Sequence, residues 1–222
     1  MKKFGLGCGI VGVVLVLIII VVVMMGAGGY NRLVGLSQNV NKQWAQVQNN
    51  YQRRADLVPN LVNTVQGAAN FEKSTLTQVT EARASVGKVQ IDPNNAPSDP
   101  EKLAEFQKAQ NQLGGALSRL LVVSERYPEL RASANFRDLQ AQLEGTENRI
   151  AVARRDFNEA VGTYDTTVKS FPTVFYAGLL GFREKPYFQA TAGSETAPKV
   201  EFNFGGSSSN STPAESPAPT KR

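Results

Sequence analysis

The group Arg53-Arg54-Ala55-Asp56, followed closely by Asn60, places two cations, a carboxylate and an amide within about two helical turns. A second polar group, Glu144, Glu147 and Arg149, lies toward the C-terminal half. Such residues can hold an anion, close a buried ion pair or, with a suitable base, move a proton. The base is what this sequence lacks. It contains no histidine, and its one cysteine, Cys8, sits among Val, Ile, Leu and Gly. Histidine-dependent serine triads, Cys–His nucleophiles, zinc sites and internal disulfides are therefore excluded together.

A helical di-iron site needs a Glu-x-x-His pair on each of two helices, and it falls with them. Neither a GxxxxGK[ST] phosphate loop nor a GxGxxG following a strand-like run is present. We expect no enzyme, no metal and no cofactor. Lys and Arg exceed Asp and Glu by 24 to 19, a net charge of +5. That balance favours anionic lipid headgroups or acidic partners. It does not amount to a nucleic-acid footprint, which needs clustered basic residues interleaved with aromatics.

The elements that must position these groups begin with an apolar run. Residues 4–29 carry no charged side chain, and Ile10 to Met25 reads IVGVVLVLIIIVVVMM behind Lys2 and Lys3. About 20 such residues cross a bilayer's hydrocarbon core of about 30 Å. The run exceeds a signal-peptide apolar core, and Met25-Gly26-Ala27 is a poor cleavage site. Cys8 precedes most of the run, where a lipidated cysteine would follow it. We expect an uncleaved, single-pass anchor over 1–29. Lys2 and Lys3 against Arg32 and Lys42 is a near tie, tilting slightly toward an N-terminus inside.

Beyond the anchor, apolar residues recur at helical spacing. Phe136, Leu143, Ile150, Phe157, Tyr164 and Phe171 fall every seventh residue, with Leu139, Thr146, Ala153, Ala160 and Thr167 three behind each. This heptad seam predicts a coiled-coil-like helix about 36 residues long, which needs partners along its stripe. An equivalent seam, Tyr30, Leu33, Ser37, Val40, Trp44, Val47 and Tyr51, opens the domain. Pro59 predicts a break at about 54–58 and a second helix from Pro59 to about Gly87. The heptad phase continues through Tyr51, Val58 and Val65, so a single kinked helix is the alternative.

Residues 92–100 form a loop rich in Asp, Asn and Pro. Asp99 and Pro100 then open a third helix that runs past Phe106, Leu113, Leu117, Leu120 and Leu121 to Arg126, ended by Pro128. The expected fold is all-α: a single N-terminal transmembrane helix followed by an up-and-down four-helix bundle over 30–190. The apolar stretch 171–188 is too short to span a bilayer. It either folds back on the bundle, the favoured reading, or rests its aromatics at the membrane interface. Residues 191–222 form a low-complexity, disordered tail, with a possible docking strand at Lys199–Phe204.

Ordered motifs run through this domain: Tyr30-Asn31-Arg32-Leu33-Val34, Trp44, Arg53-Arg54-Ala55-Asp56-Leu57-Val58-Pro59-Asn60-Leu61-Val62 and Ala82-Arg83. They continue with Glu125-Arg126-Tyr127-Pro128-Glu129-Leu130, Thr146-Glu147-Asn148-Arg149-Ile150-Ala151, Ala153-Arg154-Arg155-Asp156-Phe157-Asn158 and Phe171-Pro172. The sequence over roughly 28–190 resembles the LemA family of bacterial membrane proteins. The resemblance implies a helical bundle and a bacterial membrane location, with the short N-terminus outside the cell. It supplies no molecular function.

The polar groups admit two readings. Arg54 sits at a seam position, where a buried guanidinium needs a carboxylate, and Glu147 or Glu144 on the last helix is placed to supply it. Alternatively Arg53, Arg54 and Asp56 are exposed and bind an anionic headgroup or an acidic partner segment. Asn60, Glu147, Asn148 and Arg149 form either a polar layer setting bundle register or a binding patch. The expected function is a non-enzymatic scaffold at the bilayer, engaging lipid and an unidentified membrane or membrane-associated protein. The alternative is a bundle that senses a small ligand between its helices.

Overall fold

The structure is a computed structural model. It describes the backbone of residues 2–67, 72–89 and 91–190; most side chains before residue 26 are outside the described set. The chain divides into a compact unit, Met1–Phe188, and a second stretch, Gln189–Arg222. The expected tail over 191–222, with its docking strand, lies outside the described residues. So do most side chains of the expected anchor. Among the described residues no helix is long and apolar enough to cross a membrane.

Among the described residues the α-helices all belong to the first unit: α1 (Lys2–Gln66), α2 (Lys73–Lys88), α3 (Pro100–Ser124), α4 (Pro128–Ala132) and α5 (Ala134–Lys169). Among the described residues there is no strand, so the fold is all-α. Four long helices alternate in direction. Trp44 of α1 meets Phe157 of α5, and ten residues further along α1, Arg54 meets Glu147, ten residues back on α5. Equal steps in opposite senses define an antiparallel pair. Arg119 and Arg126 of α3 reach back to Gln78 and Glu72, so α2 and α3 are antiparallel as well. Phe106 and Gln110 of α3 face Trp44 and Arg54, making α1 and α3 parallel.

The seams form the core. Leu33, Val40, Trp44, Val47, Tyr51, Val58, Leu61 and Val65 of α1 are buried, as are Phe136, Leu143, Ile150, Phe157 and Tyr164 of α5. The small companions Thr146, Ala153 and Ala160 are buried too, which lets the partner backbones approach closely. Around Trp44 the rings of Phe106, Phe157 and Phe188 pack at centroid distances of 5.5, 5.6 and 6.1 Å. Each such side chain contributes on the order of 1.5–3 kcal/mol through burial.

The break expected at 54–58 does not occur. α1 continues through Pro59 to Gln66, and the second helix spans Lys73–Lys88 rather than starting at Pro59. The heptad phase overrides the local rule, because Val58, Leu61 and Val65 bury only if the helix persists. The carbonyl that Pro59 strands is satisfied from outside: Arg83 of α2 donates to Ala55 O at 3.1 Å. The helix stops instead at Gly67, where the chain turns.

The loop before α3 is tied down. Trp44 Nε1 donates to Asp92 O at 3.1 Å, and Asn41 Oδ1 accepts from the Ala96 amide. Asp99 caps α3 through the Glu101 amide, with Pro100 at the first helical position. α3 closes at Ser124, two residues short of the expected Arg126, and Pro128 opens the short α4. The α5 seam ends at Tyr164. Phe171 lies past the helix and is exposed, because Pro172 excludes α geometry at the residue before it.

Candidate functional site: a charged layer inside the bundle

At the middle of α1 the apolar seam is interrupted by a guanidinium. Arg54 is only 3% exposed. Its Nη1 donates to Glu147 Oε1 of α5 at 2.9 Å, and its Nη2 donates to Gln110 O at 2.8 Å and to Gln110 Oε1. The Tyr51 ring lies beneath the guanidinium carbon at 5.0 Å, one turn earlier on α1. Three helices thus converge on one cation. Gly114 of α3 borders the guanidinium; a Cβ there would stand 3.5 Å from Arg54 Nη1, in ordinary contact.

This layer is nearly closed. Glu147 keeps its side chain 45% exposed, so the ion pair faces solvent at one edge and is screened there. Among the described residues Arg54 Nε is a buried donor without an acceptor. Burial raises the Tyr51 phenol above its usual range, against the pull of Arg154 and Arg54. A neutral ring therefore faces the guanidinium across the physiological range.

The other sequence-predicted residues scatter around this layer. Arg53 is exposed. Asp56 accepts from Gln52 on the same helix at 2.8 Å, and Glu144 accepts from Gln140 at 3.0 Å, so Glu144 is not the partner of Arg54. Asn60 lines a shallow cleft between α1 and α5 with Asn63, Asn135, Asp138 and Gln142. Arg149 lines another on the same helix pair, of about 260 Å³, with Gln43, Gln46, Asn50, Asn148 and Asp156. The proposed cluster is thus one ion pair, buried at Arg54 and open to solvent at Glu147, and several separate surface residues.

Gln110 was missed, although its signal was present. Leu103, Phe106, Gln110, Leu113, Leu117 and Leu120 follow seam spacing, and Gln110 is the polar member. A second polar group lies where the chain returns after α5. Asn158 clamps Phe188 by donating to its carbonyl at 3.0 Å and accepting from its amide at 2.9 Å. Asp165 is buried and accepts from the Lys185 amide at 3.1 Å. Burial raises the Asp165 carboxyl above the usual range, a shift the Lys185 amide opposes. Burial also lowers Lys185. Among the described residues no three His, Cys, Asp or Glu side chains converge as metal ligands would.

An antiparallel helical bundle crossed by a polar layer, with Arg54 and Gln110 buried and Glu147 at its open edge, is the class that this fold and site define. The chain belongs to the LemA family, whose pattern it matches over residues 43–202. Among curated relatives, the magnetosome protein MamQ 2 of Paramagnetospirillum magneticum is 25% identical over 186 residues, covering 75% of this chain and 67% of the relative. MamQ of Magnetospirillum gryphiswaldense is 23% identical over the same length. Protein LemA of Metamycoplasma hominis is 22% identical over 161 residues, covering 72% of this chain and 69% of the relative.

Proposed function

We propose that this protein is a scaffold: a rigid helical bundle held at the bacterial membrane by its N-terminal apolar helix, where it engages other proteins without performing chemistry. The observation that carries this reading is the filled interior. The charged layer is occupied by Arg54, Glu147 and Gln110 themselves, and the layers on either side are packed with aromatics and aliphatics. A ligand sensor needs convergent polar groups lining an enclosed pocket. The clefts beside Asn60, Arg149 and Arg119 are instead open to solvent, between helix backs.

The tether rests on residues 4–29, whose length and lack of charge suit a bilayer. The name shared by the MamQ relatives gives a place, the magnetosome, and no reaction. The test is crosslinking and detergent capture of the full chain from its own membranes, beside a thermal-shift screen against small metabolites. Scaffolding predicts a defined set of co-purifying proteins that is lost when Arg149 and Asp156 are reversed in charge. A metabolite that raises the melting temperature of the bundle, with no protein captured, would favour the sensor.

A further inference from the structure

Residues 171–182 have two faces. On the inner one Thr173 and Ala177 are buried, Phe182 packs on Tyr30 with centroids 5.7 Å apart, and the Tyr176 hydroxyl lies against Gly29 so closely that a Cβ there would overlap it. On the outer one Phe171, Phe175 and Leu179 are 81%, 72% and 88% exposed, and Val174 and Leu180 are about half exposed. The rings of Phe171 and Phe175 touch only edge to face, at 5.9 Å. Five large apolar side chains within one short stretch exceed the scatter normal on a soluble surface, and such patches mark contact sites.

The position of this patch decides what covers it. Gly29 lies at the end of the apolar run, three residues before its first charge, Arg32, and α1 carries straight through it without a linker. Of the side chains described within that run, Leu15, Val16, Leu17 and Ile20 are also about half exposed. The outer face of 171–180 therefore lies at the level where the apolar helix leaves the bundle. Tyr30, Tyr176 and Phe182 surround the exit as an aromatic belt would. Arg32 and Arg183 flank it as exposed cations suited to anionic headgroups.

We infer that Phe171, Phe175, Leu179 and Leu180 dock into the interfacial region of the same bilayer that the N-terminal helix enters, seating the bundle against the membrane instead of leaving it free to swing. The inference rests on the tether proposed above. Its test uses the full chain, reconstituted in phosphatidylcholine–phosphatidylglycerol vesicles, with Leu179→Trp as the reporter. Val122→Trp, on the exposed far end of α3, serves as the control. The native Trp44 is buried and common to both.

Lipids brominated near the headgroup should quench the Leu179→Trp signal several-fold more than that of Val122→Trp, and aqueous iodide should show the reverse order. Protein that floats with the vesicles but shows equal quenching at both positions overturns the docking while leaving the tether intact. A blue-shifted Leu179→Trp emission without bromolipid quenching means that a second copy or another protein covers the patch, and also overturns it. Protein that fails to float overturns tether and docking together.

Discussion

Arg83 Nε donates to the carbonyl of Ala55 across the α1–α2 interface, at 3.1 Å. Ala55 is the residue whose helical partner four positions on is Pro59, which has no N–H to give. The bond explains how a 65-residue helix passes a proline.

Arg83→Ala should lower stability by about 1 kcal/mol, the usual net value of one hydrogen bond. In a Pro59→Ala background the new amide takes the Ala55 carbonyl, and the same Arg83 substitution should cost close to nothing. Denaturant midpoints of the four proteins in this cycle measure the coupling. Strict additivity would show that the two residues are independent.

Arg54 joins α1, α3 and α5, so Arg54→Ala opens a cavity in the seam and leaves the buried Gln110 without its donor; it should cost on the order of 2–5 kcal/mol, as large-to-small substitutions in a packed interior do. Arg54→Leu or Arg54→Met should lose less, because an apolar chain refills the seam. Glu147→Gln should cost under about 1 kcal/mol, since Glu147 is partly solvated and Gln110 still holds the guanidinium. Glu144→Gln should be silent. An Arg54→Ala midpoint equal to wild type would move Arg54 from the interior to a surface role.

Asp165 sets a pH dependence. Burial lifts its carboxyl above the ordinary value, so the folded state keeps the proton to higher pH than the unfolded chain. Its stabilising contribution is full below about pH 4 and falls as pH rises through the folded value, then stays level. Asp165→Asn retains an oxygen for the Lys185 amide and removes that slope. Midpoints from pH 3.5 upward should therefore converge at acid pH and favour the Asn variant near neutrality. Parallel curves would show that Asp165 is not desolvated.

The architecture was legible where a repeat carried it. Heptad spacing marked Leu33, Val40, Trp44, Phe157 and Tyr164 as core because each faces a partner helix at every second turn. Near Pro59 two readings stood open: local rules favoured a break, while the heptad phase through Tyr51, Val58 and Val65 allowed the continuous helix that the structure has, and the bond from Arg83, distant in sequence, was what local rules could not see. Arg54 could be placed on the seam, but one sequence with two nearby glutamates left its partner open until register chose Glu147. Gln110 required treating a polar residue as part of a stripe. The stretch 171–182 follows neither helical nor strand period, so its division into buried and exposed faces appears only in three dimensions.

The central claim, a self-sufficient bundle hung from one apolar helix, is tested most directly by vesicle flotation after alkaline carbonate washing. The full chain is compared with a chain beginning at Gly29. The full chain should float with the lipid, and the shortened one should stay in the dense fraction with the circular dichroism of a helical protein. A shortened chain that floats equally well, or one that has lost its helical signal, would contradict the account.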